Sequence, residues 1–312
     1  MTSHINSVFK IYGKVFGLLA TMALGALSPQ AHALSFLIQY LLMAMLFFAF
    51  LDIKFRLETF HTSVLRVLLA NVAVGFLSYA LLISFNNTFA LSAFMTAIAP
   101  TAIAAPVIMS FIKGRIDYVV AAVLVTNLSS AVIIPITLPL LLGSHTCPGA
   151  GCQATQLHIS VWDVLEPVLL VMFVPLILAQ LVSHLSHGAQ ELLRTGKRFS
   201  FALWLVNLFI ISANASHFLR NEESNSISTL MIIALISLVI CVVNFGLGAL
   251  LGGRQNWQEA SQSLGQKNLS FVIWIAMTFI NPLVAMGPTF YILFHHLYNS
   301  WSIYQFEKRR NV

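Results

Sequence analysis

The sequence predicts an all-α polytopic membrane protein, and three observations carry that reading. Of 312 residues, 58% are hydrophobic and only 8% are charged, with mean hydropathy +0.87, whereas a soluble domain is about a quarter charged. Apolar runs long enough to cross a bilayer recur along the chain, and basic residues collect in every second connection between them. This composition excludes a water-soluble globule, a disordered chain and a nucleic-acid binder, despite the net charge of +6.

A hydrocarbon core of about 30 Å takes about 20 helical residues at about 1.5 Å each, so the chain has room for ten transmembrane helices in a single domain, 1–312. They are placed near 14–30, 36–51, 64–84, 88–112, 115–143, 162–184, 199–217, 227–252, 258–280 and 282–306. Counted from a cytoplasmic N-terminus, the inner connections hold Lys10, Lys14, Lys54, Arg56, Arg66, Lys113, Arg115, Arg194, Lys197, Arg198, Arg254, Lys308, Arg309 and Arg310. Only Arg220 falls outside, and Lys267 falls within an apolar segment. By the positive-inside rule both termini are cytoplasmic, in the cell's inner (plasma) membrane.

The first span has a second reading. Its basic start, the apolar run Val15–Leu27 and Ala31-His32-Ala33 imitate a cleaved signal peptide. The outer connection, 144–160, carries Cys147 and Cys152, which are either a disulfide or free thiols on an oxidising face. His145 and His158 beside them lack the spacing of a zinc set. Cys241 reads as a packed small hydrophobe.

Two segments break the apolar pattern at corresponding places in the two halves, about 1–143 and 160–312. The fourth contains Pro100-Thr101-Ala102-Ile103-Ala104-Ala105-Pro106, and the ninth contains Ser263-Leu264-Gly265-Gln266-Lys267-Asn268-Leu269-Ser270. The ninth comes five helices after the fourth, an odd number, so the halves enter the membrane with opposite topology. Inverted repeats, each with a broken helix, point to the midplane site of a secondary transporter. Pro106 is expected to free the carbonyls near Ala102 and Ile103, which must then find an ion, a substrate or a polar side chain. A simple proline kink is the alternative.

Lys267 is the most informative residue. A cation at the centre of a membrane helix costs about 2.5–3.5 kcal/mol, so it either faces a cavity with partners or snorkels to the cytoplasmic interface. Other polar positions within spans are Asn71, Asn207, Asn244, His295 and His296. Thr126, Asn127 and Ser130 share one helical face, where they line a cavity or bond neighbouring helices. Asp163 and Glu166 open the sixth span as a cap or an ion-entry site.

At the two breaks the sequence resembles the bile acid:sodium symporter family. The family's fourth-helix pattern, Pro-Gly-Gly-Thr-Ala-Ser-Asn with Arg-Gly seven residues on, is matched in spacing by Pro100 through Pro106 and then Lys113-Gly114. Its ninth-helix Glu-Val-Gly-Met-Gln-Asn-Ser is matched by residues 263–269, its third-helix Ala-Gln-Phe-Ala by Ala70-Asn71-Val72-Ala73, and its tenth-helix Pro and His by Pro288 and His296. The resemblance implies ten helices in core and panel domains, with helices four and nine crossing.

It also implies sodium sites that this sequence has lost. The first site's positions hold Ala105, Pro106, Val119, Val123 and Ser263, and a hard cation needs more oxygens than these supply. The second site's positions hold Asn71, Ser263, Leu264, Gln266 and Lys267, so a carboxylate has left and an ammonium has arrived. Lys267 is therefore expected to act as a tethered cation, held by carbonyls at a half-helix end and by Asn71. Transport would be independent of sodium, or coupled to protons if Lys267 gives up its proton in the membrane. For the substrate, the family pattern points to Asn268 and the peptide groups of Ala102 and Ile103, with Asn127 beside them.

The expected function is secondary transport of a small organic anion by alternating access, with lipid and the anion as partners of a monomer. No cofactor is called for. The alternatives are a membrane receptor that binds an anion without moving it, or an exporter like the arsenite permeases, whose helix-four cysteine is absent here. No paired Asp motif, zinc spacing or activated nucleophile suggests an enzyme.

Overall fold

The computed structural model describes residues 16–51, 62–143, 160–185, 193, 199–221 and 227–310. Helices account for nearly all of them. They are α1 (Phe16–Leu27), a 3-10 turn (Pro29–Leu34), α2 (Leu37–Phe50), α3 (Thr62–Leu82), α4 (Asn87–Ile98), α5 (Ala105–Phe111), α6 (Ile116–Gly143), α7 (Val161–Leu185), α8 (Ser200–Asn221), α9 (Ile227–Gly265), α10 (Leu269–Phe279) and α11 (Pro282–Arg310). α9 is two helices in one run: Gly253 (φ 60°) and Asn256 (φ −128°, ψ 26°) leave helical geometry between an arm 227–252 and an arm 257–265. Gly253 sits in the left-handed region that glycine enters freely.

Among the described residues five helices are long and apolar enough to cross a membrane: Thr62–Leu82, Ile116–Gly143, Val161–His184, Ser200–Asn221 and Ile227–Gly265, with hydropathies of 1.5 to 2.8. α3 exposes Leu65, Leu69, Leu77 and Leu81 at 55–71%, apolar surface that only lipid covers without penalty. The protein is a helical membrane protein. Its remaining apolar helices are shorter than a crossing: α2 has 14 residues, about 21 Å at 1.5 Å per residue, and α4, α5 and α10 have 12, 7 and 11. α11 is 29 residues long but buries Thr289, His295, Asn299 and Ser300 along its length.

Contacts sort the helices into two groups. α2 packs on α7 and α8, and the 3-10 turn packs on α8. α1 joins them: a Cβ at Gly25 would strike the Phe209 carbonyl, and Ser216 Oγ donates to Ala26 O at 2.7 Å. In the other group α3, α4, α6, α9 and α11 pack on one another, with α5 and α10 inserted among them. The groups meet along α6–α7, α8–α11 and α2–α10. Ala31, His32 and Ala33 lie in the 3-10 turn of the first group.

Helix ends follow local chemistry. Asn86 Oδ1 accepts from the amides of Thr88 (2.8 Å) and Phe89 (3.2 Å), capping α4. Asn86→Ala is expected to cost about 1 kcal/mol, read as a fall in melting temperature of the purified protein. At α7, Ser160 Oγ accepts from Trp162 N–H (3.3 Å) while Asp163 Oδ2 accepts from Ser160 N–H (2.8 Å), a reciprocal capping box. Asp163 is thus a cap, and Glu166 is exposed. Cys241 is buried as a free thiol. Cys147, Cys152, His145, His158 and the basic residues Lys10, Lys14, Lys54, Arg56, Arg194, Lys197 and Arg198 lie outside the described residues.

Candidate functional site: two helix breaks in contact

The break after α4 begins at Pro100. Proline disfavours helical geometry in the residue before it, so Ala99 takes φ −49°, ψ 134° and α4 ends at Ile98. α5 restarts at Ala105 with Pro106 in its first turn, where a missing amide hydrogen costs nothing. The break spans the segment from Pro100 to Pro106 that the sequence marks; of the two carbonyls expected to be freed by Pro106, that of Ala102 accepts from Ala105 N–H at 3.0 Å, and no hydrogen bond among the described residues reaches that of Ile103. The second break runs from Gly265 to the start of α10 at Leu269.

The two breaks lie against each other as a short antiparallel bridge between Thr101 and Lys267. Ala102 N–H donates to Gln266 O (2.8 Å) and Asn268 N–H to Pro100 O (2.7 Å). Side chains close the other backbone groups. Thr101 Oγ1 donates to Ser263 O at 2.6 Å, and Thr126 Oγ1 accepts from Thr101 N–H at 2.9 Å. Asn127 Nδ2 donates to Thr101 O (2.9 Å) and Val123 O (2.8 Å), and Tyr291 OH donates to Gly265 O at 2.7 Å. Irregular backbone survives at membrane depth only when its polar groups are met in this way.

Lys267 closes the end of α4. Its ammonium donates to Asn71 Oδ1 and to Ala97 O, the latter at 2.9 Å, while Asn71 Nδ2 donates to Ile98 O at 2.9 Å. The two last carbonyls of α4, the negative end of its dipole, thus face a cation and a carboxamide. Lys267 is 2% exposed, so it is enclosed by protein and does not snorkel to an interface.

The positions that the resemblance aligns with sodium sites are mostly buried and carry few side-chain oxygens. Ala105, Val119 and Val123 are 0–1% exposed among apolar neighbours and Pro106 is half-buried, so of the first set only Ser263 brings a side-chain oxygen. At the second, the Lys267 side chain is enclosed and bonded to Asn71 Oδ1 and Ala97 O. Leu264 is fully buried, and Ser263 Oγ and Gln266 Oε1 are buried without a hydrogen-bond partner.

The suggested substrate residues differ in what they have left to offer. Ala102 spends its amide on Gln266 and its carbonyl on Ala105. Asn127 uses both amide hydrogens, and its Oδ1 faces Asn268 Nδ2 at 3.4 Å. Asn268 is half-buried and keeps Oδ1 and one amide hydrogen unused, by the donor and acceptor count of a carboxamide. Ile103 is half-buried and packs against the main core. Ser130 is buried on the Thr126–Asn127 face of α6.

Thr101 and Tyr291 join the crossing without having been singled out from the sequence. Thr101 had a signal, as the one hydroxyl residue between Pro100 and Pro106. Tyr291 had none, because its partner Gly265 is 26 residues away. Asn244 also reaches this network, donating to Tyr291 OH at 3.3 Å, whereas His295 and His296 stack edge-on at 4.3 Å in α11. Comparison with models of known protein families and with curated proteins finds no match for the chain.

Proposed function

We propose that the protein is a secondary transporter of a small organic anion that works without sodium. In this reading the chain makes ten crossings in two inverted five-helix repeats, with both termini cytoplasmic. The broken pairs α4–α5 and 257–279 each count as one crossing. The two packing groups are then a panel, α1, α2, α7 and α8, and a core, and alternating access comes from rocking one against the other.

The observation that carries the reading is the enclosed Lys267 ammonium beside two broken helices. Lys267 lies two residues before the start of α10, whose N-cap Asn268 makes no side-chain cap bond. A helix N-terminus and a cation together favour a carboxylate, and Asn268 has hydrogen-bonding capacity to recognise one. Lys267, when protonated, supplies from the chain itself the charge that a coupling cation would bring, so the anion moves by its own gradient, by exchange, or with a proton that Lys267 takes up and releases.

The test is uptake of radiolabelled organic anions into proteoliposomes with and without an imposed sodium gradient. Equal uptake in both is expected. Strong stimulation by sodium would sink the idea, because it requires an ion site that Ala105, Val119, Val123 and Lys267 do not provide.

A further inference from the structure

A second polar site lies away from the crossing, where α10 meets α2 and α8. A cavity of about 140 Å³ opens there, with Ser35, Phe36, Gln39, Asn214, Trp274 and Thr278 in its wall. A cavity of about 150 Å³ accommodates benzene, so this one holds about six non-hydrogen atoms. It sits on a seam between the two packing groups, a common place for ligand sites.

The wall has hydrogen-bonding capacity to spare. Asn214 Nδ2 donates to Ser35 Oγ at 2.6 Å, and Thr278 Oγ1 donates to Trp274 O at 2.8 Å. Those bonds leave Asn214 Oδ1 and the Thr278 lone pairs as acceptors. No hydrogen bond among the described residues engages the Gln39 carboxamide or the Trp274 indole N–H.

The electrostatics decide the ligand class. The cavity wall contains no charged side chain, and an ion without a partner is costly in such surroundings. α10 ends at Phe279 beside the cavity and α2 begins there at Leu37, with its N-cap Phe36 in the wall, so helix ends of opposite sign meet and favour neither an anion nor a cation. We infer that the cavity binds a small uncharged group that both donates and accepts hydrogen bonds, an amide or a hydroxyl compound of about six non-hydrogen atoms. The inference stands apart from the anion reading and does not need it.

Propionamide, propionate and propylammonium, three probes of similar size and different charge, test it by saturation-transfer NMR on the protein in nanodiscs. Propionamide is expected to bind about tenfold more tightly than either ion, and Gln39→Leu and Trp274→Phe to weaken it about tenfold, the worth of one or two hydrogen bonds. Gln39→Glu keeps the side-chain size and is expected to exchange propionamide binding for propylammonium binding. Lys267→Gln leaves propionamide binding unchanged, which separates this site from the crossing. Propionate binding as tightly as propionamide overturns the inference, as does propionamide binding that is indifferent to every substitution at Gln39 and Trp274.

Discussion

Lys267→Gln is expected to cut organic-anion uptake in proteoliposomes by about 30-fold to a few thousand-fold while leaving the protein folded. Removing one member of a buried, hydrogen-bonded charged set costs about 2–5 kcal/mol, and about 1.4 kcal/mol is tenfold. Glutamine retains an amide donor for Ala97 O or Asn71 Oδ1, so the end of α4 stays capped. Lys267→Ala removes that donor as well. It leaves two buried acceptors unmet at about 1–3 kcal/mol each, and should lower the melting temperature in addition to uptake. Neither variant is expected to acquire sodium dependence, since the packed Ala105, Val119 and Val123 offer no oxygens. Wild-type uptake in Lys267→Gln would remove the ammonium from the mechanism.

Gly248→Val is expected to destabilise the protein by about 3 kcal/mol, at the upper end of the range for overpacking. Here the two arms of α9 fold back on each other. A Cβ at Gly248 would lie 2.6 Å from Ala260 O and 2.8 Å from Ser261 Cα, and these are backbone atoms that cannot rotate aside. At about 2–4 °C per kcal/mol the melting temperature should fall by about 6–12 °C. Gly246, half a turn away, has nothing within 4 Å of its Cβ position. Gly246→Ala should therefore be neutral or slightly stabilising through the backbone entropy of glycine. Equal losses at both positions would show that the close approach at Gly248 is not what sets the effect. The same close packing sets the crossing, because Ser261 Oγ donates to Phe245 O at 2.8 Å and so fixes the arm that ends at Gly265.

Much of the helix placement was legible because its causes are local. Hydropathy over a window of about 20 residues located Thr62–Leu82, Ile116–Gly143 and the long apolar arm of α9. Pro100 and Gly253 interrupt helices through the geometry of one or two residues. The break falls between the two prolines as the sequence marks it, but the carbonyl of Ala102 that Pro106 is expected to free finds a partner in Ala105 N–H. Both prolines remove an amide hydrogen, and only the chain path shows that Pro106 falls in a first turn, where nothing is lost.

By itself, then, the sequence determined a helical membrane chain with two interruptions and one cation that had to be paid for inside it. Only the tertiary structure decided which groups surround that cation. Asn71 lies 196 residues from Lys267, and Ala97 lies 170 residues away. No periodicity spans such separations. The pairing is set by which helix faces pack together and by the requirement that every carbonyl freed at a break find a donor where neither water nor lipid supplies one. That requirement brings Thr101, Lys267 and Tyr291 to one crossing, and it leaves the uncharged wall of Gln39, Asn214 and Trp274 at a separate seam.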